Sequence, residues 1–224
     1  MSNLQTPVAK FDSMCTLPNG ATYVTVGPLY YRYSNIAQTS PDAGYPLTIK
    51  SHFISAGLTG MEAFYEGFDS MCLFPNGKLY ITKGGQYARF TWDGLHLTLE
   101  KGPLSIAERW PSLPLEFQSG IDTMSLLGND KIYFTKGNQY VRYTHGPGVH
   151  DITMDPGYPQ AISAASWGIT AAYSDFLAGF DAVALASNGK TYVSKNGQYI
   201  RYSDIDAFVI DPGYPLTLQN GWGV

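Results

Sequence analysis

From Phe68 to Phe90 the apolar and polar positions fall into three short runs. Ser70-Met71-Cys72-Leu73-Phe74 is apolar and of a length that suits a buried strand. Pro75-Asn76-Gly77 follows. Asn-Gly tolerates positive φ at both central positions, which predicts a two-residue hairpin turn. Lys78-Leu79-Tyr80-Ile81-Thr82 mixes aromatic and β-branched residues, as strands prefer. Gly84-Gly85 makes a second turn, and Gln86-Tyr87-Ala88-Arg89-Phe90 alternates polar with apolar as a half-buried strand does. The pattern predicts a three-stranded antiparallel meander.

The same pattern occurs four times. FDSMCTLPNGATYVTVGPLYYRY, FDSMCLFPNGKLYITKGGQYARF, IDTMSLLGNDKIYFTKGNQYVRY and FDAVALASNGKTYVSKNGQYIRY each open on an apolar residue and an aspartate. These aspartates are Asp12, Asp69, Asp122 and Asp181, and an arginine follows each by 20 residues: Arg32, Arg89, Arg142 and Arg201. The copies are spaced 57, 53 and 59 residues apart by either ruler. Asn19-Gly20, Asn76-Gly77, Asn129-Asp130 and Asn188-Gly189 recur at the first turn. Gly84-Gly85, Gly137-Asn138 and Asn196-Gly197 recur at the second, where the first copy has Gly27-Pro28.

A tail follows each meander. Three tails carry Gly-Tyr-Pro, at Tyr45, Tyr158 and Tyr214, and the second carries Lys101-Gly102-Pro103. Each runs into an apolar segment with a large aromatic: Phe53, Trp110, Trp167 and Trp222. An outer strand, a turn and a short helix fit there, because proline is tolerated at an edge strand or a helix start and not in a central strand. Four small sheets cannot each bury enough apolar surface alone, but they can when arranged radially about an axis. The expected fold is therefore all-β: a four-bladed β-propeller with short helices at the blade ends. One domain is expected over 1–224, with blades at about 8–57, 65–114, 118–171 and 177–224. A β-sandwich has no reason to repeat at this period.

Composition narrows the partners. The 224 residues are 44% hydrophobic, enough for a sizeable core. Net charge is −4 and no basic stripe exists, so a nucleic-acid partner is not expected. No apolar run reaches membrane-spanning length, and Met1-Ser2-Asn3-Leu4 shows no signal-peptide pattern. With only two cysteines and no secretory signal, reduced thiols and a cytoplasmic or intracellular location are expected. No nucleophile elbow, P-loop, HExxH or paired catalytic carboxylates occur, which predicts a non-enzymatic protein.

The order apolar-Asp, Tyr-apolar-(Thr/Ser/Phe)-Lys-Gly, Gln-Tyr-X-Arg-Tyr, Asp-X-Gly-Tyr-Pro and apolar-X3-Trp resembles the hemopexin repeat, from Phe11 to Trp222. The single-propeller length resembles hemopexin-like legume seed albumins and related plant, fungal and bacterial proteins. The resemblance implies a calcium or sodium ion in the central channel, held by main-chain carbonyls of Asp12, Asp69, Asp122 and Asp181. Met14, Met71, Met124 and Val183 form an expected second layer two residues on. Two features depart from the repeat. Cys15 and Cys72 occupy equivalent inner-strand positions instead of tying first blade to last, so ring closure must rest on packing and strand pairing. The first copy also lacks the lysine found at Lys83, Lys136 and Lys195.

The resemblance and the aromatic-rich polar loops imply a lectin-like protein that binds a glycan or another small ligand. The alternative is a haem- or polyamine-binding carrier or storage protein of the albumin type. A homodimer is compatible with either. Trp92, followed by Asp93-Gly94, is the one tryptophan outside the tail pattern and is the expected ligand contact, on a loop after the third strand of blade two. The arginines are expected to pack their stems over tyrosine rings with exposed guanidinium groups. His52, His96, His145 and His150 fall at unrelated places, which disfavours haem ligation, although His145 and His150 are near enough in sequence to approach each other. Cys15 and Cys72 read as small buried hydrophobes.

Overall fold

Hydroxyl side chains pair across the first hairpin of three repeats: Ser13 with Thr25 at 2.6 Å, Ser70 with Thr82 at 2.6 Å and Thr123 with Thr135 at 2.8 Å. The computed structural model describes residues 10–37, 39–94, 96–146 and 152–224. In it each repeat is one antiparallel sheet. Blade one is β1 (Ser13–Thr16), β2 (Thr22–Val26), β3 (Leu29–Tyr33) and β4 (Leu47–Thr48). Blade two is β5 (Ser70–Leu73), β6 (Lys78–Lys83), β7 (Gln86–Trp92) and β8 (Leu97–Ser105). Blade three is β9 (Thr123–Leu126), β10 (Lys131–Lys136), β11 (Gln139–His145), β12 (Ile152–Met154) and β13 (Gln160–Ala161), with both β12 and β13 on β11. Blade four is β14 (Ala182–Leu185), β15 (Thr191–Lys195), β16 (Gln198–Tyr202) and β17 (Leu216–Thr217).

Each outer strand leads into a short helix: α1 (Ile49–Ser55), α2 (Ile106–Arg109), α4 (Ala164–Trp167) and α5 (Leu218–Trp222). Helix α3 (Leu115–Gln118) lies between blades two and three. A hydroxyl caps each tail helix: Thr48, Ser105, Ser163 and Thr217 accept from the amides of Ser51, Glu108, Ser166 and Asn220. Such a side chain takes up an amide that the first turn leaves unpaired.

The turns differ from the sequence expectation. At the first turn Gly77 N–H donates to Phe74 O and Phe74 N–H to Lys78 O, so the turn takes in Pro75 and Asn76 ahead of Gly77. Of Asn76 and Gly77 only Gly77 has positive φ, at 72°. The Asn76 side chain instead accepts from Lys78 N–H, which holds asparagine out of the left-handed region. It is the second turn that has two residues, with Lys83 opposite Gln86. In blade two the register slips between Tyr87 and Arg89, opposite Gly102. Gly102 has φ of 110°, and a Cβ there would stand 2.6 Å from Tyr87 O, so only glycine fits.

The inner strands close a ring: β1 touches β5, β5 touches β9, β9 touches β14 and β14 touches β1. The core is four apolar clusters, one in each wedge between neighbouring blades. Three wedges are centred on a tail tryptophan. Trp110 lies 5.8 and 5.4 Å from Tyr80 and Tyr87 of its own blade and 5.3 Å from Phe134 of the next. Trp167 lies 5.5 and 5.6 Å from Tyr133 and Tyr140, and 4.9 Å from Phe180. Trp222 lies 5.7 and 6.2 Å from Tyr192 and Tyr199, and joins the last blade to the first through Phe11 at 5.5 Å and Tyr33 at 5.0 Å. Tyr33 Oη also donates to Trp222 O at 2.9 Å. Cys15 and Cys72 are buried free thiols. Burial pushes the Cys15 thiol up to about 12, partly offset by a backbone hydrogen bond from Leu73.

Candidate functional site

Two places bring chemistry-bearing groups together. The first is the end of the channel where the repeat aspartates stand. Leu17 N–H donates to Ala21 O, its register partner, so with period two Cys15 and Ser13 also bond into the sheet. The main-chain groups of Met14 therefore point away from β2, toward the axis. The bonds Phe74 to Lys78, Leu127 to Lys131 and Ala186 to Lys190 set the same parity for Met71, Met124 and Val183. The amides of Asp12, Asp69, Asp122 and Asp181 depart from that parity: they donate into their own blades, to the Thr25, Thr82, Thr135 and Ser194 carbonyls, which leaves the axis only the carbonyl oxygens of these four residues. The narrow passage there is lined by Ser13, Asp69, Asp122, Asp181, Met124 and Val183, among others.

The aspartate side chains are engaged elsewhere. Each Oδ2 accepts from a backbone amide of the second turn: Gly27 at 2.6 Å, Gly84 at 2.6 Å, Gly137 at 2.7 Å and Asn196 at 2.7 Å. Each Oδ1 meets a lysine: Lys83 at 3.1 Å, Lys136 at 3.0 Å and Lys195 at 3.2 Å. The lysine absent from the first copy is supplied from ahead of the strand, by Lys10 at 3.3 Å from Asp12. The four carboxylates are thus turn caps with their charge paired. No group of three or more His, Cys, Asp or Glu side chains suited to a metal occurs among the described residues. An ion on the axis would be held by the inward edges of the four inner strands. Those edges offer main-chain oxygen, the donor that hard cations favour, so the residues present fit such an ion.

The second place is the wedge between blades one and two. Here Phe53 takes the tryptophan position and Phe90 the position of Tyr33, Tyr143 and Tyr202. The Phe53 ring packs on Phe68 at 5.9 Å, Phe90 at 6.1 Å and Tyr65 at 6.4 Å. Tyr23 and Tyr30 are left half-buried, whereas their counterparts Tyr80, Tyr87, Tyr133, Tyr140, Tyr192 and Tyr199 are buried. A cleft of about 360 Å³ opens between the blades. Its deep wall is apolar and buried: Ile49, Phe53, Phe68, Met71, Ile81 and Phe90. Its outer wall is more exposed and carries Asn19, Tyr23, Tyr30, Arg32, His52 and Trp92. Tyr30 Oη lies 3.3 Å from His52 Nδ1, and Asn19 Nδ2 donates to Tyr23 Oη at 3.2 Å. Burial raises Tyr30 to about 12, with Tyr45 and Tyr23 adding to it, and burial lowers the His52 pKa. Both groups are uncharged at neutral pH.

Trp92 is the last residue of β7, paired with Leu97 of β8, rather than a loop residue. It is half-buried and faces the cleft with Gly94. Asp93 is exposed, and its carboxylate accepts from His96 N–H at 2.8 Å within its own turn. The repeat arginines are not free. Arg32 pairs with Asp42, Arg89 with Glu100 at 2.9 Å, Arg142 with Asp155 at 2.5 Å and Arg201 with Asp211. Arg142 and Arg201 also lie over the Tyr158 and Tyr214 rings. The stacking expectation holds for these two; the exposed guanidinium does not, because an acid from each tail reaches back. The Asp of Asp-X-Gly-Tyr-Pro was the available signal for that partner. His145 pairs with Asp130 at 2.9 Å, and the proposed neighbour His150 lies outside the described residues.

The hemopexin family profile matches residues 121–167, the span of blade three. Vitronectin from Oryctolagus cuniculus is 28% identical over 137 residues, which cover 59% of this chain and 26% of vitronectin. Neutrophil collagenase from Homo sapiens is 32% identical over 113 residues, covering 50% of this chain and 21% of the collagenase. The chain thus spans about a quarter of the length of the curated relatives it matches. Among solved structures, hemopexin fold protein CP4 from cow pea superposes with a TM-score of 0.77 at 21% identity, covering 95% of both chains. The 2S albumin seed protein from Dolichos gives 0.75 at 23% identity over 96% of both. A plant lectin with two metal binding sites from Cicer arietinum gives 0.77 at 17% identity over 95% of both. The chain therefore has the fold of these hemopexin-type structures, a single four-bladed propeller, and its third blade matches the hemopexin repeat.

Proposed function

We propose that this protein is a non-enzymatic, lectin-like ligand-binding propeller with a calcium or sodium ion in its channel. The observation that carries the reading is Trp92, half-exposed at the mouth of the only wedge not filled by a tryptophan among the described residues. A pyranose has one apolar face that an indole can cover, and its hydroxyls need polar partners. Asn19, Tyr23, Tyr45 and His52 supply such partners on the same lining. The Cicer arietinum lectin of the same fold, with its two metal sites, and a Cicer arietinum albumin showing hemagglutination are in keeping with both halves of the reading.

The ion would be held by main-chain carbonyls of Asp12, Asp69, Asp122 and Asp181, with Met14, Met71, Met124 and Val183 as second layer. It would supply no chemistry beyond tying four strands to one centre. The polyamine alternative needs an acidic mouth, and the lysine paired with each aspartate removes that free charge. No helix among the described residues is long and apolar enough to cross a membrane.

A glycan array on the purified protein tests the sugar reading, followed by titration of the best binder against Trp92→Ala. Loss of an aromatic stacking contact costs on the order of 1–3 kcal/mol, about tenfold or more in affinity. Thermal stability should stay near the parent's. An array without binders, or a Trp92→Ala protein that binds normally and melts much lower, rules the sugar reading out.

A further inference from the structure

The deep half of the cleft asks for something other than a sugar. Its lining offers seven buried apolar side chains, and its one buried hydroxyl, Thr25, is already paired with Ser13; further polar partners stand only at the rim. A sugar pushed that far would leave its own hydroxyls buried without partners, which is unfavourable. A dry apolar cavity does not favour water either, because a water needs two to four polar partners.

The cleft exists because the repeat rule is broken twice in one wedge. Three wedges put an indole against the tyrosine pair of the preceding blade. In the first, Phe53 leans on blade two and the tyrosine pair has no indole to cover it. The space left is therefore shaped for a flat ring system lying where Trp110, Trp167 and Trp222 lie in the other wedges.

We propose that this cleft is a binding site for a flat, uncharged, largely apolar molecule that places its rings over Phe53 and Phe90 and a hydrogen-bonding group toward Tyr30 and His52. About 360 Å³ suits a small ligand of roughly two or three rings. The charge class follows from the lining. Among the described residues Arg32 is the one permanently charged side chain on it, and it is neutralised by Asp42 and hydrogen-bonded to Ser34. Among the described residues no carboxylate lines the cleft. Neither a cation nor an anion finds an unpaired counter-charge there. The inference goes beyond the sugar reading and does not depend on it, since the deep wall would hold such a ring with or without a sugar at the rim.

The probe is N-phenyl-1-naphthylamine, uncharged and fluorescent in apolar surroundings, titrated into the full chain. Saturable one-site binding is expected. Phe53→Trp restores the side chain of the other three wedges, so it should fill the cleft, weaken the probe at least tenfold and leave the melting point equal or higher. Transferred nuclear Overhauser contacts from the probe to Met71 and Ile81 methyl groups would place it directly, and they guard against a Phe53→Trp variant that folds poorly. The anionic 8-anilino-1-naphthalenesulfonate should bind more weakly than the neutral probe. Absence of saturable binding, normal binding by a well-folded Phe53→Trp, contacts to other methyls, or preference for the anion each overturns the proposal. So does light scattering that shows a dimer which excludes the probe and admits it on dilution, because a second copy would then be the occupant. Failure of the sugar array leaves this result untouched, as the probe carries no hydroxyl.

Discussion

Ser194 Oγ is buried without a hydrogen-bond partner, and the reason is one residue. Its cross-strand neighbour is Ala182, where the other repeats have Ser13, Ser70 and Thr123. Ala182→Ser should give it the bond those three hairpins have and stabilise the protein by about 0.5–1.5 kcal/mol, read as a shift in urea midpoint. An unchanged or lowered midpoint would show that blade four has no room for the hydroxyl. Glu100 gives a second residue-scale test. Hydrogen bonds from Lys78 and Thr91 hold its pKa down to about 2, with Arg89 adding to them. A carboxyl depressed in the folded state contributes stability that is present above its ordinary pKa of 4.5 and lost as pH falls toward 2. Asp155 is also held low: burial raises it, and bonds from Thr144 and Arg142 outweigh that. The urea midpoint should therefore fall between pH 4.5 and 2, and Glu100→Gln should make that fall shallower while costing stability at pH 7. An equally steep fall in the variant would mean that the pair contributes nothing in solution.

At the scale of elements, the tail helices are short, of four to seven residues, and owe their place to one aromatic each. Trp110, the residue that ends α2, is almost fully buried between blades two and three. Trp110→Ala should cost about 3–5 kcal/mol, far more than Trp92→Ala, and equal melting points for the two variants would refute this division of roles. The contrast was legible in the sequence, because the tail aromatic recurs and Trp92 does not. So were the meander, the outer strand and the helix, since turn residues and apolar runs recur in step. The cleft was only half legible. Phe53 and Phe90 stand out against Trp and Tyr in the other copies, but a smaller aromatic in a list says nothing about which neighbour its ring will choose. That choice leaves Tyr23 and Tyr30 uncovered, and it is made by packing across two blades. Of the salt-bridge partners, Asp42, Asp155 and Asp211 recur in Asp-X-Gly-Tyr-Pro and could have been found from it, whereas Glu100 sits in the one tail without that motif and was hidden. What the motif did not show is the pairing itself, which the fold makes by bringing each tail back to Arg32, Arg89, Arg142 or Arg201.

At the scale of the whole molecule the ring has no covalent clasp among the described residues. Blade four meets blade one through Trp222, Phe11 and Tyr33, and both thiols are free. Folding should accordingly be indifferent to reductant. The inner edges of β1, β5, β9 and β14 present main-chain groups to one axis, where no fifth strand can pair with them. Buried carbonyls without partners are costly, and a cation shared by four strands would satisfy them together. An ion bound only by the closed ring adds RT ln(1 + [L]/Kd) to stability, about 2.7 kcal/mol at a hundredfold excess over Kd. For a chain of this size that corresponds to a rise of about 5–10 °C in melting temperature. We expect calcium to produce such a rise in sodium-free buffer and chelator to reverse it. Asp69→Asn should show the same rise. The substituted side chain can still accept from Gly84 N–H, and the ligating oxygen would be the backbone's. If Asp69→Asn abolishes the rise, the carboxylate is a ligand and Lys83 is its rival. If neither calcium nor sodium moves the melting temperature of the parent, the channel holds no structural ion and the ring is closed by packing alone.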